Sequence, residues 1–194
     1  DDAELRAAMV RYGFLIQAYV WGEAETPAML PANLAVPVVA IADALGQAPL
    51  LPYSSYVLDN WARLDESGPI TLDNIAMVQT FLGGMDENWF VLVHVAIEAE
   101  AGRALELACE LIACAAAEDV AGATARLTEM AAVWARINAI FDRMPERCDP
   151  YIYYQRVRPF IHGWANNPAL PKGLIYEGVA KFGGKGQAFR GQTG

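Results

Sequence analysis

Residues 89–117 read WFVLVHVAIEAEAGRALELACELIACAAA, a stretch with no proline and one glycine, Gly102. Nothing in it stops a helix, and alanine, leucine and glutamate favour one. Charges at Glu98, Arg103, Glu106 and Glu110 leave no broad polar face, so the pattern predicts a long, central helix packed on most sides. Asp86 stands where it can cap the start. Residues 121–144 supply a partner of similar length, with Arg126, Glu129, Arg136 and Arg143 as an ordinary polar stripe. Strand signals are weak throughout, and the chain reads as all-α, a helical bundle.

The remaining segments fit that class. Residues 3–22 carry apolar groups on most faces and predict a buried helix ending at Gly22. A loop with Pro27, Pro31 and Pro37 leads to a helix over 38–45, stopped by Gly46. Residues 54–65 predict a helix capped by Ser54 or Ser55, and residues 71–82 another, ended by Gly83 and Gly84. A last helix begins at Tyr153 and bends at Pro159, which lacks an N–H and frees the carbonyl of Gln155. Gly178, Gly183, Gly184, Gly186, Gly191 and Gly194 then crowd the end. There is no internal repeat.

With 194 residues, 55% hydrophobic and 19% charged, the chain is long and apolar enough for one domain with a full core. A net charge of −9 argues against nucleic acid and anionic membrane as partners. The greasiest stretch, 89–97, is too short to span a bilayer and is closed by Glu98. Cys109, Cys114 and Cys148 match no disulfide or zinc spacing. The first two read as small buried thiols, and the set fits a reducing cytoplasm. The chain opens on Asp1, not Met, and reads as a processed, tagged or trimmed piece. The tail KFGGKGQAFRGQTG follows no strand and lacks phosphate-loop spacing, so it licenses only a flexible backbone able to approach a ligand closely.

Two positions invite chemistry. Tyr154, Arg158 and His162 share a face at helical spacing, with Ile161 beside them. A guanidinium there offers a bidentate fork to a ligand carboxylate, each charge-assisted bond contributing about 1.5–3 kcal/mol. Spacing alone favours the plainer reading, an ion pair with a structural Asp or Glu. His94 sits within an apolar run with Glu98 one turn on. It reads first as a core histidine bonded to a carbonyl or to Glu98, and otherwise as a polar group over a ligand beside Phe90 and Val91. Tyr53, Tyr56, Val57 and Trp61 read as core. With only His94 and His162, the chain holds no histidine-based metal cluster.

Taken together, AYVWG, LPANLAVP, YSSYVLDNW, FVLVHVAIE and RPFIHGWANNPALPKGLIYEG resemble the indoleamine 2,3-dioxygenases, haem enzymes that open the indole ring of tryptophan. FRGQTG resembles the start of that family's substrate-covering loop. The match spans almost the whole chain in order, which far exceeds a lone motif. The resemblance implies that residues 1–194 are the N-terminal portion of the family's large helical haem domain. It places a small N-terminal domain ahead of Asp1, and the portion bearing the proximal histidine, the iron's protein ligand, beyond Gly194. It implies haem b as cofactor, with tryptophan or a related indole and O2 as partners. The reaction implied is insertion of both oxygen atoms across the indole C2–C3 bond, giving N-formylkynurenine in tryptophan catabolism.

Carried over by position, Arg158 matches the arginine that binds the substrate carboxylate. Tyr53, Val57, Phe90 and Val91 match the pocket for the indole ring, with Ile161 at its rim. Tyr153 and Tyr154 stand where the animal enzymes carry phenylalanine, and Tyr56 replaces a smaller residue, which implies a more polar pocket. His94 stands where those enzymes have serine and the related tryptophan dioxygenases a distal histidine, which implies contact with the indole N–H or with oxygen. Gln192, Thr193 and Gly194 match the loop that touches the substrate amino group and, through Thr193, a haem propionate. Phe141 and Met144 match positions on the other side of the haem. The alternative is a relative that binds haem or indole but rearranges it, mono-oxygenates it, or does not turn it over.

Overall fold

Asp1 caps the first helix, its carboxylate accepting from Glu4 N at 3.0 Å while the Glu4 carboxylate accepts from Asp1 N at 2.8 Å. That helix, α1 (Asp2–Trp21), ends at Gly22 as the spacing predicts. It is not buried all round. Met9, Ile16 and Val20 face one hydrophobic core, Val10 and Phe14 face a second, and Leu15 and Tyr19 remain in solvent. The computed structural model describes residues 1–191; the candidate ligand residues Gln192, Thr193 and Gly194 lie outside the described residues.

The core on the Met9 side is completed by α2 (Ala32–Leu45) and by Trp164, Leu170, Leu174 and Tyr176. Here the expected loop through Pro37 is corrected, since the helix begins at Ala32 and runs straight through the proline. Burial of Ala35, Val38, Val39 and Ala42 along one face outweighs the hydrogen bond that Pro37 cannot donate. Strand β1 (Met29–Leu30) pairs in parallel with a distant segment, 175–176, which draws the C-terminal region onto the same core.

Two further corrections have one cause. Residues 54–65 make a single wide turn of π-helix, Ser54–Leu58, with no side-chain cap from Ser54 or Ser55. The chain then enters β2 (Trp61–Arg63), which pairs antiparallel with β3 (Ile75–Met77), where a helix over 71–82 was expected. Asparagine side chains decide this. Buried Asn60 donates to the carbonyls of Tyr56 and Gln79 and accepts from Gln79 N. Asn74 donates to the carbonyls of Asp65 and Pro69 and accepts from Asp65 N, closing the hairpin loop. Such side chains offer the backbone an alternative to helix.

The long helix is α3 (Met85–Ala116), and its partner is α4 (Val120–Phe141). Gly84, not Asp86, takes the cap position of α3; the Asp86 carboxylate instead accepts from Asp149 N at 2.7 Å. Nor is α3 packed on most sides. Its buried residues run from Glu87 to Ala96, and beyond them only Leu107 is buried, against Val133 and Ile137 of α4. Farther out the two helices are laced by surface ion pairs, Arg103 with Glu106, Glu110 and Glu129, and Arg136 with Glu100. Leu105, Ile112, Leu127 and Trp134 stay exposed. Cys109 is exposed on this outer part, contrary to the expected buried thiol, whereas Cys148 is buried and its thiol is pushed up to about 11 by desolvation. Helices dominate and the strands are short, so the all-α class holds. Among the described residues, no helix is long and apolar enough to cross a membrane.

A buried relay locks the C-terminal region in place. Trp164 Nε1 donates to the Tyr176 hydroxyl at 2.7 Å, and that hydroxyl donates to the carbonyl of Pro49 at 2.7 Å. Replacing Tyr176 by Phe strands both partners. We expect Tyr176→Phe to cost about 1–3 kcal/mol, read as a lower urea midpoint at unchanged slope.

Candidate functional site

The segment bearing Arg158 is helical but irregular. Asp149 caps it through Tyr151 N and Ile152 N, and one α-turn, α5 (Pro150–Ile152), follows. The chain then widens to a π-turn over Tyr153–Val157 and tightens to a 3₁₀ turn over Arg158–Ile161 containing Pro159. Such departures from the α-ladder recur at functional sites because they re-aim side chains. Two π-turns therefore meet one core: Ser54–Leu58 contributes Tyr56 and Val57, and Tyr153–Val157 contributes Tyr153.

Most of the expected pocket residues converge there. Val57, Val91, Tyr153 and Ile161 are buried in one cluster, and Tyr53, Phe90 and Met144 pack against it half-buried. Their rings form a ladder. Tyr53 meets His94 edge-on at 6.3 Å, His94 lies 4.3 Å from Phe90, and Phe90 stacks on Tyr153 at 3.9 Å. Tyr154 and Phe141 are not part of the cluster; both are more than half exposed.

His94 makes the carbonyl bond that its setting in the apolar run suggested, yet it also faces the ring ladder. Its Nδ1 lies 2.7 Å from the carbonyl of Phe90. A carbonyl only accepts, so Nδ1 carries the hydrogen, and in the neutral ring Nε2 presents a lone pair. The Glu98 carboxylate is taken by the Tyr53 hydroxyl at 2.9 Å instead. Burial and that carboxylate hold the Tyr53 phenol well above its ordinary pKa, so it stays a donor.

Arg158 lies half-buried with its guanidinium 4.9 Å over the ring of Tyr154. No carboxylate pairs with it among the described residues, although acids outnumber bases by 23 to 14 in the chain. Burial and the nearby Arg158 charge together push the His162 imidazole below its ordinary pKa. The carbonyl of His162 accepts from Gln17 Nε2 at 3.2 Å and from Trp21 Nε1 at 3.1 Å, which ties this end of the site to α1. Beside it the returning tail crosses at a pair of glycines. A Cβ on Gly163 would lie 2.0 Å from Gly191 N, and one on Gly191 would lie 2.3 Å from Gly163 N. The glycines here serve a close approach of the chain to its own backbone, where the sequence suggested approach to a ligand.

One polar cluster is not anticipated by the sequence pattern. Glu87 is fully buried in the first turn of α3, accepting from Phe81 N at 2.9 Å and Leu82 N at 3.0 Å. Desolvation raises its pKa against the pull of those donors. It also holds Phe81, which stacks on Phe14 at 4.4 Å and on Phe160 at 4.9 Å, next to the Arg158 turn. An acid in a first helical turn reads as routine dipole pairing. The signal in the sequence is its place three residues before Phe90 and seven before His94, on the same helical face.

The sequence model of the indoleamine 2,3-dioxygenase family matches the chain over residues 1–194. The chain belongs to that family. Similar relatives include indoleamine 2,3-dioxygenase 1 of Rattus norvegicus, 35% identical over 90% of this chain and 43% of the relative. Indoleamine 2,3-dioxygenase of Saccharomyces cerevisiae is 33% identical over 94% of this chain and 42% of its own length. A 6-hydroxytryptophan 2,3-dioxygenase of Fusarium equiseti is 30% identical over 99% of this chain and 48% of its own length. The chain spans less than half the length of each of these relatives.

Glu87 sets a pH test. A carboxyl whose pKa rises on folding is bound to its proton more tightly in the folded state. Its contribution to stability is therefore complete at low pH and is lost as pH rises through the raised value. Urea unfolding across the acid-to-neutral range should show Glu87→Gln losing less stability than the parent as pH rises. Parallel pH profiles for the two proteins would contradict the assignment.

Proposed function

We propose that the protein is a haem-dependent dioxygenase acting on an indole amino acid, tryptophan in the first instance. It inserts both atoms of O2 across the C2–C3 bond to give N-formylkynurenine. The observation that carries this reading is the half-buried Arg158 guanidinium, left without a carboxylate in an acid-rich chain, lying over the Tyr154 ring and near enough to Tyr153 for its charge to be felt there. An amino acid's carboxylate completes it.

The residues present fit one face of a haem. Tyr53, Phe90 and His94 make a half-buried, largely apolar wall suited to a flat ring system, and Met144 packs against the same core. Haem, when bound, supplies the activation of O2. Phe141, on α4, is the further residue assigned to its surroundings by family position, with Thr193 for a propionate.

The protein's part is binding and orientation. Arg158 takes the carboxylate through its planar fork, with Tyr154 beneath the guanidinium to hold its plane. Val57, Val91 and Ile161 line the ring and keep water away. His94 Nε2, left as an acceptor by the Nδ1 bond, takes the indole N–H. That contact fixes which edge of the ring is offered and draws electron density toward C2–C3. Gln192, Thr193 and Gly194 are assigned by family position to the amino group and the mouth of the site. The proposed compartment is the cytoplasm.

Losing one or two charge-assisted bonds of about 1.5–3 kcal/mol each predicts that Arg158→Ala in the full-length protein raises the tryptophan KM about 10- to 100-fold or more. The readout is N-formylkynurenine formation, and an unchanged KM would refute the carboxylate role. His94→Ala is expected to lower kcat while leaving the Soret absorbance per protein unchanged. Loss of the Soret band in that variant would place His94 on the iron instead. A haem spectrum that shifts with tryptophan but gives no product would favour a binding protein over a dioxygenase.

A further inference from the structure

Glu87 is the only fully buried acid among the described residues, and the proposed chemistry gives it no part. A buried carboxylate costs more than an apolar side chain of its size unless donors offset that cost. Here they do. Phe81 N spans the carboxylate, 2.9 Å from Oε1 and 3.1 Å from Oε2, and Leu82 N donates to Oε2 at 3.0 Å. The Tyr56 hydroxyl is hydrogen-bonded to the same carboxylate and to the Tyr153 hydroxyl. What these bonds hold lies on either side of Arg158. The Phe81 ring stacks at 4.9 Å on Phe160, two residues beyond Arg158 in the same 3₁₀ turn. Tyr153 opens the π-turn that leads into Arg158. Between these two arms, a cavity of about 140 Å³ is lined by Glu87 together with Ile152, Arg156 and Val157 of the same segment. The inner side of the turn is therefore incompletely packed. Its placement depends on the Glu87 bonds more than on the side-chain contact that fixes a dense interior.

Resting on the reading of Arg158 as the fork for a ligand carboxylate, we infer that Glu87 is a positioning residue for that guanidinium. It touches no ligand. It holds Phe81 and Tyr56 so that their partners, Phe160 and Tyr153, fix the turn from both ends and the fork keeps its aim. A planar fork making two parallel bonds loses affinity when it tilts. The ring-binding wall, by contrast, is set by the regular helix α3 and by the Phe90–Tyr153 stack. The consequence is selective. Disturbing the Glu87 bonds weakens a ligand through its carboxylate and leaves ring binding as it was. Glutamine is the informative replacement, because its amide keeps the size of the acid but sets an N–H against Phe81 N, where a carboxylate oxygen now accepts.

The test measures dissociation constants by calorimetry on the haem-loaded full-length protein, with L-tryptophan and with tryptamine, which lacks the carboxylate. Glu87→Gln is expected to weaken L-tryptophan about 5-fold or more and to leave tryptamine within about 2-fold of the parent. In an Arg158→Ala background the same substitution should add no further loss for L-tryptophan, since the group it positions is gone. If tryptamine binds too weakly to measure, that cycle decides alone. If Glu87→Gln does not fold, Phe81→Leu, which removes only the stacking ring, is expected to give the same pattern. Equal weakening of both ligands, weakening of neither, or a loss that adds to that of Arg158→Ala would overturn the positioning role and leave Arg158 its own. An Arg158→Ala variant that binds L-tryptophan as tightly as the parent, or a parent that does not bind it, would remove the reading beneath.

Discussion

The carbonyl of His162 is the joint on which the arrangement turns. It accepts from Gln17 and Trp21, one turn apart on α1, so the register of the first helix sets where the Arg158 segment lies. The opposite side of α1 repeats the constraint. Phe14 stacks on Phe81, and Phe81 on Phe160, which adjoins the same turn. Arg158 is thus placed from two directions by a helix far away in sequence. Neither hold is large alone, but interiors packed at crystal-like density shift little, and a guanidinium fork tolerates little displacement.

That joint also explains what the sequence disclosed and what it hid. The long helices, the Gly22 and Gly46 stops and the all-α class arise from local pattern, and all are present. The residues drawn together by family resemblance, Tyr53, Val57, Phe90, Val91, Tyr153 and Ile161, do share one cluster. Local pattern failed wherever a distant partner outbid it. Asn60 bonds to Gln79 and turns an expected helix into a hairpin. The buried face of α2 carries the helix through Pro37. The outer part of α3 reads as buried because alanines and leucines suit either environment, whereas the fold leaves Leu105 and Ile112 in solvent. Glu87 hides in the sequence because a first-turn acid is commonplace; only its burial distinguishes it.

The two π-turns supply a geometric reason for the two phenols in this core. A π-turn inserts a residue into the helical ladder and rotates the residues after it. At Ser54–Leu58 the turn buries Tyr56 together with Val57, and at Tyr153–Val157 it buries Tyr153 while Tyr154 stays outside under Arg158. Regular α-helix would place consecutive residues about 100° apart with no such latitude. The two phenols are therefore pressed inward by backbone geometry, and their hydroxyls lie where the turns direct them.

The state of Arg158 bears on whether such a site is built for a ligand or is incidental to folding. Along α3 and α4 the arginines are used structurally. Arg103, Arg126, Arg136 and Arg143 all reach carboxylates at the surface, where such pairs contribute little. Arg158 is half-buried, as are Arg103, Arg126 and Arg143, and a cation partly removed from water gains most from a partner. Yet in a chain with net charge −9 it has an aromatic ring and no acid. Folding alone would be served better by a neutral side chain at that position, or by an acid across from it. A half-buried guanidinium kept open over an aromatic ring makes physical sense under the proposed reading, in which a ligand's carboxylate completes it.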